Sequence, residues 1–181
     1  MKIKSIIALL AGCAFTTFGV TAMVNQVQGS EDVRFICATG FDKRTNKRYP
    51  TTYAWTGGQK RTIIRWKYKW FNSPANTPQK RCQDISARLQ TAYNNGSLKF
   101  ITNSRINNQP VICTARNNGG ACNTTLLTLR PDDDPLVVLT SLKDALRGRG
   151  SSPLEHSSGD KQVYYQIDID KFLQTAPIEE E

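Results

Sequence analysis

The clearest pattern along the chain is a period of two between Lys60 and Phe71. Arg61, Ile63, Arg65, Lys67 and Lys69 fall on one face, and Thr62, Ile64, Trp66, Tyr68 and Trp70 on the other. Such alternation predicts a strand with aromatics turned to a core and a basic row turned to solvent. Val33–Ala38 and Thr51–Thr56 read as strands before it, separated by a polar loop over Asp42–Arg48, and Gly57-Gly58 predicts a hairpin turn into it. Thr77-Pro78 is a helix start, with Thr as cap and Pro at the first turn. Cys82, Ile85, Leu89, Ala92 and Tyr93 then recur at helical spacing up to Gly96. Leu98–Thr102, Pro110–Ala115 and Thr125–Leu129 are further strands, the first two joined through Asn107-Asn108. Asp134-Pro135 opens a second helix running to Arg147, with Leu136, Leu139, Leu142 and Leu146 inward. Val163–Ile169 alternates as a last strand, followed by a helical turn and an acidic tail, Glu179–Glu181. Hairpins interspersed with about two helices predict a single α+β domain built on a mainly antiparallel sheet.

The start of the chain has a different texture. Lys2 and Lys4 precede an uncharged, apolar run from Ser5 to Val24, and Val27-Gln28-Gly29 offers small or slim residues after it. This is the pattern of a secretory signal peptide, here residues 1–29. Residues 30–150 are then the disulfide-stabilised domain, and 151–181 the loop, final strand and tail of the same domain. Leu10-Ala11-Gly12-Cys13 also matches a bacterial lipobox, which would make Cys13 a lipid-bearing first residue. Cleavage near Gly29 and lipidation at Cys13 remain alternatives. Either places the protein outside the cytoplasm, in a periplasm, lumen or cell envelope.

Four cysteines follow the leader: Cys37, Cys82, Cys113 and Cys122. An even count in an exported domain reads as two disulfides. Three connectivities are possible; proximity in sequence favours Cys113 with Cys122, which leaves Cys37 with Cys82. No CxxC pair is present and the chain holds one His, so no zinc set, metal or cofactor is expected.

The chain carries 24 Lys and Arg against 15 Asp and Glu, a formal charge of +9. Between Val33 and Arg105, 15 basic residues face only Asp42 and Asp84, whereas the chain from Arg130 onward is acidic. This asymmetry speaks of an anionic partner, or of one half folding back on the other. The row Arg61, Arg65, Lys67 and Lys69, with Lys60 and Lys47-Arg48 adjoining, is the candidate surface for an anionic membrane or envelope component. The competing explanation is that strand lysines simply discourage edge-to-edge association. Nucleic acid is not an expected partner, because the interleaved aromatics are assigned to the core rather than to base stacking.

Catalytic constellations are sparse. His156 lies in Ser152-Pro153-Leu154-Glu155-His156-Ser157-Ser158, within a Gly/Ser-rich stretch, and sequence neighbours do not make a triad. Asp132-Asp133-Asp134 could supply oxygen ligands to calcium but lacks the Gly and distal Glu of a binding loop, and reads more simply as a helix N-terminus. Asp168 and Asp170, on one strand face, are too close for an inverting glycosidase pair. The expected protein is therefore a non-catalytic exported domain held at a surface; a secreted hydrolase with an unrecognised site is the alternative.

Several short stretches resemble the circadian-oscillating-protein family of cyanobacteria. They are Phe35-x-Cys37, Pro50-Thr51-Thr52, Ile63-Ile64-Arg65-Trp66, Arg81-Cys82, Ile106-Asn107, Val111-Ile112-Cys113, Cys122 and Leu126-Leu127-x-Leu129. The resemblance covers Val33 to about Leu146. It implies an exported protein associated with a membrane from outside the bilayer, and it implies no reaction and no catalytic residues.

Overall fold

The computed structural model describes residues 32–67, 77–147 and 162–179. The leader with Cys13, the segment holding Tyr68, Lys69 and Trp70, and the stretch holding His156 lie outside the described residues.

Among the described residues, seven strands form two antiparallel sheets. The first is a meander of β1 (Arg34–Asp42), β2 (Lys47–Thr56) and β3 (Gln59–Arg65), in that spatial order. The second contains β4 (Phe100–Ile106), β5 (Gln109–Ala115), β6 (Thr124–Thr128) and β7 (Tyr164–Gln166), ordered β6-β5-β4-β7. Turn chemistry sets the hairpins. Gly57 and Gly58 at φ 55 and 78, and Asn107 and Asn108 at φ 50 and 63, supply the paired left-handed residues of tight two-residue turns. The hairpin expected at Gly57-Gly58 is present, the loop expected around Asn107-Asn108 tightens to a two-residue turn as β4 and β5 extend to Ile106 and Gln109, and the fold is α+β as anticipated.

Among the described residues there are three helices, one more than expected: α1 (Pro78–Asn94), α2 (Pro135–Arg147) and α3 (Ile169–Thr175). The Thr77 hydroxyl accepts from the Lys80 amide at 3.1 Å, so the predicted cap is made. α1 buries Cys82, Ile85, Ser86, Leu89 and Ala92 and packs on β1, β2 and β6. α2 lies against β3, β4, β5 and α3, burying Leu139, Leu142, Lys143 and Leu146. The two helices thus cover both sheets with one continuous apolar core.

The last segment corrects the sequence expectation. The strand ends at Gln166, and Asp168 caps α3, its carboxylate accepting from the Lys171 amide at 2.9 Å. The proposed Asp168–Asp170 strand face does not exist, because the cap starts a helix that brings Phe172 into the core at 1% exposure. Beyond α3 the chain runs back to the first sheet. Ile178 bridges Arg61, and the Glu179 amide donates to the Lys60 carbonyl at 2.7 Å.

Both expected disulfides are formed. Cys37 on β1 joins Cys82 on α1, and Cys113 on β5 joins Cys122 just before β6. The first ties sheet to helix across 45 residues; the second closes a loop of 9.

Candidate functional site

β3 does not present the basic row its alternation predicts. Thr52 pairs with Ile64 while Tyr53 pairs with Thr62, so Ile63 is an extra residue, a β-bulge. A bulge resets the alternation: Arg65 leaves the face of Arg61 and joins that of Thr62. Arg61 is buried at 8% exposure, with its Nη2 donating to Gln59 at 3.0 Å. Arg65 is also mostly buried, its Nη2 donating to both carboxylate oxygens of Glu179 at 2.6 and 2.7 Å. Lys67 donates to the buried carboxylate of Asp42 and lies 5.3 Å from the Tyr49 ring. Of the four residues expected to face an anionic surface, Arg61, Arg65 and Lys67 are therefore buried or internally paired, and Lys69 lies outside the described residues. Trp66 does face the core as expected, its indole donating to Thr52 at 3.0 Å.

The partners of Arg65 form a closed cradle around Glu179. Thr62 donates to it at 2.7 Å and the Tyr53 hydroxyl at 3.4 Å. Burial, and secondarily the Glu179 charge, push the Tyr53 phenol above its ordinary pKa. Tyr53 reaches this position across Gly40, where an added Cβ would lie 2.0 Å from the phenol oxygen. Glycine at 40 is what leaves room for the ring.

The exposed cations lie instead at the tip of the β1–β2 hairpin. Lys43, Arg44, Lys47 and Arg48 are all exposed. Asn46 takes the left-handed conformation of the turn, φ 52, and the Thr45 amide returns to the Asp42 carbonyl at 3.2 Å. Asp42 sits beneath the tip at 1% exposure, accepting from Lys67 and from the Arg44 amide at 3.0 Å. The sequence shows this tip as two Lys/Arg pairs flanking Thr45-Asn46; the expected basic surface takes in Lys47-Arg48 at its margin and leaves Lys43-Arg44 in the polar loop.

The hydrogen bond from Lys67, outweighing burial, lowers the Asp42 pKa from 3.8 to about 2. Because the folded value lies below the unfolded one, the unfolded chain binds the proton more readily. This contribution to stability is present above the unfolded pKa and is lost as pH falls through about 2. Urea titrations of wild type and Asp42→Asn should therefore differ near neutral pH and converge toward pH 2. A pH-independent gap would contradict the assignment.

The other sequence candidates take structural positions. Asp133 accepts from the Arg130 guanidinium at 3.0 Å, and Asp134 accepts from the Leu136 amide at 2.8 Å at the start of α2. Among the described residues no group of three or more His, Cys, Asp or Glu side chains is placed to hold a metal ion, and no helix is long and apolar enough to cross a membrane.

A cavity of about 390 Å³ opens between β3, α1, β6 and α2. Ile64, Trp66, Leu127, Val138 and Leu142 form its apolar walls, and Arg65, Lys67 and Arg81 its cationic lining. Arg81 lies over the Trp66 ring, 5.0 Å from its centroid, and burial lowers its pKa from the ordinary value.

Comparison with curated proteins and with solved structures returned no match in either case. The family model described as circadian oscillating protein COP23 matches residues 34–174, from the first residue of β1 into α3, and both disulfides and the hairpin tip fall inside that range. The chain belongs to the circadian oscillating protein COP23 family.

Proposed function

We propose that the protein is an exported, non-catalytic domain that attaches peripherally to an anionic membrane or envelope surface through the tip of its β1–β2 hairpin. The observation carrying this reading is the cluster of four exposed cations, Lys43, Arg44, Lys47 and Arg48, on an ordered turn. The carboxylate beneath them, Asp42, is buried and shared between Lys67 and Arg44, whose guanidinium lies 3.8 Å away and stays exposed. Two disulfides accord with an oxidising compartment. Each basic residue near an anionic lipid surface contributes up to about 1 kcal/mol, so four acting together suffice for reversible, salt-sensitive attachment. The tip replaces the β3 row as the proposed contact, because Arg65 and Lys67 turn inward to Glu179 and Asp42 while all four tip side chains stay exposed.

Co-sedimentation with vesicles containing phosphatidylglycerol, compared with phosphatidylcholine alone, tests the proposal. Binding is expected only to the anionic vesicles and should fall as salt is raised. Replacing Lys43, Arg44, Lys47 and Arg48 together with Gln should weaken it at least tenfold, with the thermal transition retained. Equal binding by that folded variant would overturn the reading.

A further inference from the structure

The outer edge of β3 carries a charge that the fold leaves unmatched. Arg61 is buried at 8% exposure, and its guanidinium makes one hydrogen bond, from Nη2 to Gln59. Its Nε and Nη1 are buried without a partner. A buried cation in that state costs stability unless an anion answers it. The residue set opposite is apolar: Ile178 bridges Arg61 in antiparallel register, so the two side chains share one face. Ile178 is itself 48% exposed and buries little area there.

The next residue turns to the other face. Arg65, Thr62 and Tyr53 enclose the Glu179 carboxylate, and the Glu179 amide donates to the Lys60 carbonyl at 2.7 Å. Residues 178 and 179 thus show how this edge takes an extended segment. The backbone runs antiparallel to β3, with one side chain at Arg61 and the following one at Arg65. β3 is the outermost strand of its sheet, which leaves this edge to the segment that fits it best.

The segment in place answers Arg65 and not Arg61. We infer that this edge is a strand-addition site for a partner protein's extended segment carrying two adjacent carboxylates, one for each guanidinium, with residues 178 and 179 as its resting occupant. At the cradle an incoming acid only replaces Glu179, so nothing is gained there. The gain lies at Arg61, where a carboxylate takes the place of Ile178 and meets the unpartnered N–H groups. The exchange is reversible and makes no covalent bond. It does not depend on attachment through the hairpin tip.

The experiment is fluorescence anisotropy with capped, dye-labelled peptides of residues 175–179, titrated with the full chain carrying Glu179→Ala, which vacates the cradle. The peptide with Ile178→Glu is expected to bind saturably. It should bind about fivefold or more tighter than the peptide that keeps Ile178, and at least tenfold tighter than one with Gln at both positions. Wild type should bind it at least tenfold more weakly than the vacated chain, because its own segment competes at high effective concentration. Arg61→Gln in the vacated chain should erase the preference for the second acid. A measurement without peptides keeps the test valid if that variant misfolds: in the intact chain, Ile178→Glu should raise the thermal midpoint above that of Ile178→Gln. Absence of saturable binding to the folded Glu179→Ala chain, equal binding of the Gln peptide, a preference that survives Arg61→Gln, or no rise in midpoint for Ile178→Glu would each overturn the inference. A wild-type dimer in sedimentation that Glu179→Ala abolishes would make a second copy the occupant and overturn the assignment to a partner protein.

Discussion

Replacing Cys37 and Cys82 together with Ala is expected to cost about 4 kcal/mol of folding stability, the loop-closure value for a bridge spanning 45 residues. The same model gives about 2.6 kcal/mol for removing Cys113 and Cys122, whose loop is 9 residues. The larger figure is a sizeable share of the 5–15 kcal/mol that typically holds a domain folded. Packing acts in the same direction. Cys82 is fully buried on α1, within 3.9 Å of the Thr52 hydroxyl, so its bridge ties the helix to the interior of the first sheet. Urea denaturation of the two double-Ala variants, monitored by far-ultraviolet circular dichroism, checks both the magnitude and the order. A larger loss from the 113–122 pair would mean that chain entropy is not what these bridges supply.

The second large effect is expected at Phe172. Truncation to Ala should cost about 3–5 kcal/mol, the usual range for a fully buried aromatic. The ring is 1% exposed and belongs to the common core, while α3 spans only seven residues. So short a helix has little stability of its own and depends on such an anchor. The midpoint of denaturation should fall, and hydrogen exchange should quicken at the Glu179 amide, whose bond to Lys60 lies beyond α3. A loss below about 1 kcal/mol would place α3 outside the cooperative unit.

Local rules carried much of the architecture. Thr77-Pro78, Gly57-Gly58 and Asn107-Asn108 each act on their immediate neighbours, and each made the cap or turn its chemistry favours. The apolar spacing of Cys82, Ile85, Leu89 and Ala92 likewise identified the buried face of α1. The candidate site was less legible because its determinants are non-local. A strict period of two cannot show the bulge at Ile63, which becomes visible only when β3 is paired with β2. The acids that neutralise Arg65 and Lys67 come from 114 and 25 residues away. Asp168 misled for a simpler reason: an Asp two positions from another reads equally as one strand face or as a cap before a helix.

The return of the chain to the first sheet has a kinetic consequence. Within each sheet, β1–β2–β3 and β4–β5–β6 join strands that are neighbours in sequence, so their closure entropy is small and they can form early. The bond from Thr62 to Glu179 spans 117 residues and must wait for α3 to dock. Between those two events β3 exposes an unpaired edge and Arg65 lacks its carboxylate. That interval is when a second molecule, offering its own extended segment, competes most effectively for the edge.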